Sequence, residues 1–177
     1  MAILDILTYP DPRLKKKAQP VREVNDEIRK LIADMAETMY AAPGVGLAAI
    51  QVGIPLRVIV IDVDWKAGEE RNLITLINPE IVAREGEIVW EEGCLSVPEL
   101  FAEVRRSAKV LAKALDGEGK GIEVAGEGLL SVALQHEIDH LDGILFLDRL
   151  SRVKREIYKK KLKERLKEEG YAGAVSF

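Results

Sequence analysis

Thiols and imidazoles are scarce in this chain: Cys94 is the single cysteine, and His136 and His140 are the only histidines among 177 residues. One cysteine cannot close an internal disulfide. With no signal peptide and no apolar run of membrane-spanning length, the chain is expected to work in a reducing cytoplasm, away from membranes. An excess of positive charge is also missing, and a formal net charge of −4 argues against a general nucleic-acid binder. Internal repeats, low-complexity tracts and Pro/Gly/Ser linkers are absent. A length of 177 residues with 47% hydrophobic content suits one solid core, so a single domain over 1–177 is expected. Asparagine and glutamine are sparse beside lysine and glutamate, a composition that leans towards a thermophile.

The two histidines stand together, in Gln135-His136-Glu137-Ile138-Asp139-His140. Four residues make one helical turn, so His136 and His140 project from one face, about 6 Å apart, and can hold one metal ion. Glu137 lies beside them, placed to take a proton from a water on that ion. The flanks support burial. At about 100° per residue, Leu129, Val132, Ala133 and His140 fall near His136, while Leu130, Leu134, Ile138 and Leu141 cluster on the far side. A helix apolar on both faces is buried, and buried histidines need a partner for each ring nitrogen.

Two histidines leave room for a third ligand, and Cys94 in Glu91-Glu92-Gly93-Cys94-Leu95-Ser96 is the candidate. A thiolate with two imidazoles forms a soft site with one open position, suited to Fe(II) or Zn(II) rather than Mg or Ca. A third segment runs Gly44-Val45-Gly46-Leu47-Ala48-Ala49-Ile50-Gln51. It lacks the preceding strand, third glycine and following helix of a dinucleotide loop. Its glycines allow close backbone approach to a ligand, and the Gln51 amide N–H could hydrogen-bond an oxyanion; otherwise it is an ordinary tight loop over the core.

Coarse patterning predicts a first helix over Asp26 to Ala41, N-capped by Asn25 and stopped by Pro43-Gly44. Strands are predicted over Arg57–Val63, Leu73–Val82, Gly86–Trp90, Lys109–Asp116 and Gly121–Val124. A buried helix follows over about Gly128 to Asp142, and a last helix over about Arg152 to Glu169. This order gives an α+β fold: mixed or antiparallel strands around a central buried helix, with helices at either end.

The three motifs, in chain order, resemble the signature motifs of the peptide deformylases: Gly44 to Gln51, Glu92 to Ser96 and Gln135 to His140. Tyr9-Pro10-Asp11-Pro12-Arg13-Leu14 resembles the family's N-terminal segment. With no insertion before the first motif and a charged helical tail after the third, the chain is similar to the type 1 form common in Gram-negative bacteria. The resemblance implies a metal-dependent hydrolase that removes the N-formyl group from the initiator methionine of nascent proteins. It implies Cys94, His136 and His140 as ligands of one divalent ion, natively Fe(II), with Zn, Ni or Co able to replace it. Glu137 would move the proton, and the Gln51 amide with the backbone N–H of Leu95 would stabilise the oxyanion. Val45 and Gly46 would pair with the peptide backbone, with Gly93 beside it. Trp90, Val132, Ala133 and Val45 are candidates for the methionine pocket. Glu92 is expected to orient the cysteine loop, by accepting backbone N–H bonds or by pairing with an arginine such as Arg106. Phe101 to Ser107 would edge the substrate groove.

From Arg152 to Lys167 nine basic residues stand against Glu156 and Glu164. This strip reads as a solvated face with i,i+4 pairs, or as a contact for ribosomal RNA through its phosphates. A monomer acting on formylmethionyl peptides and nascent chains is expected. A zincin-like endopeptidase shares H-E-x-x-H but takes its third ligand downstream, where no third histidine exists. A structural metal module would need a fourth Cys or His, which the chain also lacks.

Overall fold

The computed structural model describes residues 2–168. Its first long element, α1 (Asp26–Ala41), starts where the Asn25 side chain accepts the Ile28 N–H at 3.1 Å. Asp26 and Glu27 add negative charge to the positive end of the helix. Strands follow: β1 (Gly46–Ala48), β2 (Val58–Ile61), β3 (Ile74–Glu85), β4 (Ile88–Cys94), β5 (Val97–Arg106), β6 (Lys109–Leu115) and β7 (Gly121–Glu127). Then come α2 (Leu129–Leu141) and α3 (Arg152–Glu168). Glu169, the expected last residue of α3, lies outside the described residues.

Five strands form one antiparallel sheet in the order β1-β2-β3-β6-β7, and β4 and β5 form a separate antiparallel pair. At β2 both faces of the larger sheet are covered, which explains its uninterrupted Val-Ile-Val-Ile. Val58 and Val60 meet Ile28, Ile32, Met35 and Met39 of α1, whereas Ile59 and Ile61 meet Ala133, Leu134, Ile138 and Leu141 of α2. The α+β architecture is as the sequence predicts. From Ser131 to Leu141 every residue of α2 is buried.

The β4–β5 hairpin packs its inward residues Val97, Ala102 and Val104 on Phe146, Leu147 and Leu150. Two strands differ from expectation here. β4 begins two residues late, after Gly86 turns the chain with a φ of +67°, and runs on through Glu91-Glu92-Gly93 to Cys94. β5 was not anticipated at all, although Ala102, Val104 and Arg106 alternate inward with exposed Phe101, Glu103 and Arg105. Its inward row ends in a charge, which blurs the apolar–polar alternation. The short strand β1 lies in the segment expected to be a loop. Of α3, only Leu162 is buried, and Val153 and Ile157 of its apolar stripe are exposed.

Candidate active site

The hairpin and α2 bring Cys94, His136 and His140 together, with one donor atom from each lying within 4.8 Å of the others. Cys94 Sγ is 3.3 Å from His140 Nε2. A tetrahedral ion ~2.0–2.3 Å from each donor needs donors about 3.3–3.6 Å apart; the Cys94–His140 pair has that spacing, and the trio is close enough to be a candidate site for one divalent cation. Burial, with His136 alongside, lowers the pKa of His140 and keeps its imidazole neutral, as a metal ligand must be. The imidazole Nδ1 of His140 is buried with no partner among the described residues.

His136 is oriented from behind. Its Nδ1–H donates to Glu92 Oε1 at 2.8 Å, which leaves Nε2 to face Cys94 and the candidate ion site. Arg106 grips the same carboxylate with Nε and Nη2 at 2.8 and 2.9 Å, and Nη1 donates to Asp139 at 2.6 Å. Arg149 adds two donors to Asp139. Burial alone would raise the pKa of Glu92; the bonds from Arg106 and His136 outweigh it and hold the carboxyl below its usual range. Of the two roles expected for Glu92, the pairing with Arg106 is the one formed. Asp139 and Arg149 were missed. Asp139 lay inside the histidine motif as an acid on a buried helix, a signal that it needed a cation.

Glu137 is buried, and its Oε1 has no hydrogen-bond partner among the described residues. Desolvation pushes its pKa up to about 7. Gly46 makes room for it, since a Cβ there would lie 2.6 Å from Glu137 Oε2.

β1 is the edge strand of its sheet. Asp62 N–H donates to the Val45 carbonyl at 2.8 Å, so Gly46 and Ile61 form a facing pair that exchanges no hydrogen bonds. The N–H and C=O of Gly46 therefore point to the free edge. Ala48 is in the same phase, but its N–H donates to Gln51 Oε1 at 2.9 Å. That bond also settles the amide orientation, turning Gln51 Nε2 towards Ser96 Oγ at 3.0 Å and Cys94 Sγ at 3.7 Å.

These groups surround a cavity of about 660 Å³. Val45, Gly46, Gln51, Trp90, Gly93, Leu95, Val132 and Ala133, all singled out in the sequence, line it together with Cys94, His136, Glu137 and Glu92. Arg106 lies outside the wall, behind Glu92. Phe101, from the stretch expected to edge the groove, is in the lining, whereas nothing in the sequence points to Ile6 and Leu129 there. Ile6 arrives through an N-terminal segment tied down by Leu7 N–H on the Gln51 carbonyl and Tyr9 N–H on the Ser96 carbonyl, each at 2.7 Å. No local pattern announces such a contact.

Residues 3–156 match the family model described as polypeptide deformylase. The chain is 58% identical over 168 residues to the peptide deformylase of Syntrophobacter fumaroxidans, covering 95% of this chain and 98% of that one. It is 54% identical to that of Thermodesulfovibrio yellowstonii over 163 residues, 92% of this chain and 98% of the relative. The crystal structure of a peptide deformylase from Legionella pneumophila superposes with a TM-score of 0.88 at 49% identity, covering 96% of this chain and 98% of that chain. The chain belongs to the peptide deformylase family, metal-dependent enzymes that remove the formyl group from nascent peptides.

Proposed function

We propose that this chain deformylates N-formylmethionyl peptides with Cys94, His136 and His140 holding one divalent cation, Fe(II) natively, with Zn, Ni or Co as possible replacements. The observation that carries this reading is a trio of soft or borderline donors, two of them, Cys94 and His136, in the cavity wall, beside a buried carboxyl with one oxygen unbonded among the described residues. A bound cation supplies Lewis acidity that brings the pKa of a water from 15.7 towards about 7.

Glu137 accepts a proton from the attacking water and delivers it to the leaving nitrogen. The water oxygen bonds to the formyl carbon, the C–N bond breaks, and formate and a free α-amine leave. Charge gathering on the formyl oxygen meets Gln51 Nε2 and the backbone N–H of Leu95; loss of one such donor typically costs about 10²–10³ in rate. The free N–H and C=O of Gly46 receive the peptide backbone as an added strand, with Gly93 across the cavity. Because the Val45 carbonyl is already taken by Asp62, Val45 contributes its side chain. With Trp90, Val132 and Ala133 it walls the methionine pocket. Glu92 and Arg106 act from behind by fixing the His136 ring.

The described part of α3 carries nine basic residues against Glu156, Glu164 and Glu168, and buries only Leu162. We assign this open face to phosphate contacts with ribosomal RNA by a cytoplasmic monomer. No helix of the described chain is long and apolar enough to cross a membrane.

The test is formate release from formyl-Met-Ala-Ser by anaerobically purified protein, with and without a chelator. Formate that disappears on chelation is expected. A metal-replete protein that leaves the formyl group intact, or cuts the internal peptide bonds instead, would overturn the reading in favour of a zincin-like peptidase.

A further inference from the structure

Beyond the cavity wall, the loop 62–72 is organised by one carboxylate. Asp62 is fully buried; Oδ1 accepts the N–H groups of Asp64 and Trp65 at 3.1 and 3.2 Å. Its Oδ2 accepts the Tyr40 hydroxyl at 2.6 Å and the Asn72 N–H at 2.8 Å. Trp65 is thereby held edge-on against Tyr40, with ring centroids 5.2 Å apart at 84°.

This loop holds three consecutive carbonyls of the segment that enters β1. Lys66 Nζ donates to Pro43 O at 3.2 Å, Trp65 Nε1–H to Gly44 O at 3.0 Å, and Asp62 N–H to Val45 O at 2.8 Å. On its other side the segment has no slack. A Cβ at Gly44 would lie 2.8 Å from Leu95 Cδ1, and one at Gly46 would meet the Glu137 carboxylate. The segment is thus caught between the loop and the site, immediately before the only residue of β1 whose N–H and C=O both face the free edge without a partner from Gln51. Asp62 and Trp65 do not line the cavity. Any influence they have on substrate runs through this backbone.

We propose that Trp65 is a positioning residue for the peptide substrate: its indole N–H, set in place by Asp62 and Tyr40, holds the Gly44 carbonyl so that Gly46 presents its N–H and C=O at strand spacing. This rests on the reading that the substrate backbone pairs at Gly46. It adds where the precision of that edge comes from. The role concerns peptide groups that follow the formylmethionine, so its loss shows only on substrates that possess them. Chemistry at the formyl carbon is untouched, because no group that moves a proton or meets the oxyanion is bonded to the loop.

The experiment compares wild type and Trp65→Phe, both metal-loaded, on formyl-Met-Ala-Ser and on formylmethionine methyl ester, which has no following peptide group. Phenylalanine keeps the ring against Tyr40 and removes only the donor. The tripeptide KM is expected to rise about three- to tenfold, the net worth of one hydrogen bond, with kcat within about twofold. Kinetics on the ester should stay within about twofold of wild type. An unchanged tripeptide KM, or equal losses on both substrates, overturns the proposal and leaves Trp65 with a general structural role. Failure of the underlying reading is distinguishable, because wild type itself would then show no advantage in kcat/KM for the tripeptide over the ester; that result also removes the present proposal. If Trp65→Phe does not fold, Tyr40→Phe, which removes one of the four donors that fix the Asp62 carboxylate, is expected to give the same tripeptide-only rise in KM, and an unchanged KM there overturns the proposal.

Discussion

Glu92 and Glu137 are both buried carboxyls beside His136, yet their surroundings push them apart. Arg106 and the His136 ring hold Glu92 ionised, whereas for Glu137 desolvation is the largest influence and its pKa rises to about 7. In the proposed reaction, two carboxyls driven in opposite directions would divide the labour: one orients His136, the other exchanges protons. Glu137→Gln should therefore retain stoichiometric metal and the fold while kcat falls by about 10²–10⁴ or more, read by metal analysis and formate release. A rate within about tenfold of wild type would move the proton to another group. Glu92→Ala acts differently. It strips His136 Nδ1 of its acceptor, so activity should drop about 10–100-fold with the three metal ligands intact. It also leaves the buried Arg106 with Asp139 alone, and a broken buried pair costs about 3–5 kcal/mol, visible as a lower urea midpoint. Loss of activity without loss of stability would show that Arg106 finds another acceptor.

Among the elements, α1 depends least on distant partners at its start. Asn25 accepts the Ile28 N–H, and Asn25→Ala should cost about 1 kcal/mol of stability by thermal or urea unfolding with kcat/KM unchanged, since Asn25 does not line the cavity. Such local chemistry is what a sequence displays directly. The Asn25 cap, the two-faced apolar pattern of α2 and the four buried aliphatics of β2 were all legible. The candidate metal site was legible for another reason: Cys94, His136 and His140 are the whole stock of thiol and imidazole in the chain. Features that depend on a partner across the fold were not. β5 is obscured because its inward row ends in Arg106, a residue whose place only makes sense once Glu92 and Asp139 stand opposite. β4 likewise runs through Glu92, which a propensity argument would stop at. Gly46 looked like part of a loop, and only the register with Ile61 shows which way its backbone groups point. Ile6 and Trp65 carried no pattern at all, because they reach the site through contacts with Gln51 and Gly44 rather than through their neighbours in sequence.

At the scale of the whole molecule, Asp62 joins three parts of the fold, since it accepts from Tyr40 on α1, from three N–H groups of the following loop, and donates its own N–H to the entry of β1. Burial would raise its pKa, but these donors outweigh it and set the folded value below the ordinary one. The sign follows by linkage. A carboxyl whose folded pKa is depressed contributes stability that is fully present above its unfolded pKa, near 3.9, and is lost as pH falls through the folded value. Asp62 should thus support the fold at neutral and mildly acid pH and cease to do so in a window below about 4. Asp62→Asn removes the ionisation while keeping the size of the side chain. Its urea midpoint should lie below that of wild type at pH 6, and the gap should narrow steadily as the pH drops through that window. Any loss of metal in acid would act on both proteins alike, so the difference between them isolates Asp62. A gap that stays constant with pH would mean that the variant suffers from misplaced hydrogen bonds alone, and that the charge on Asp62 adds nothing to holding α1, the loop and the substrate edge together.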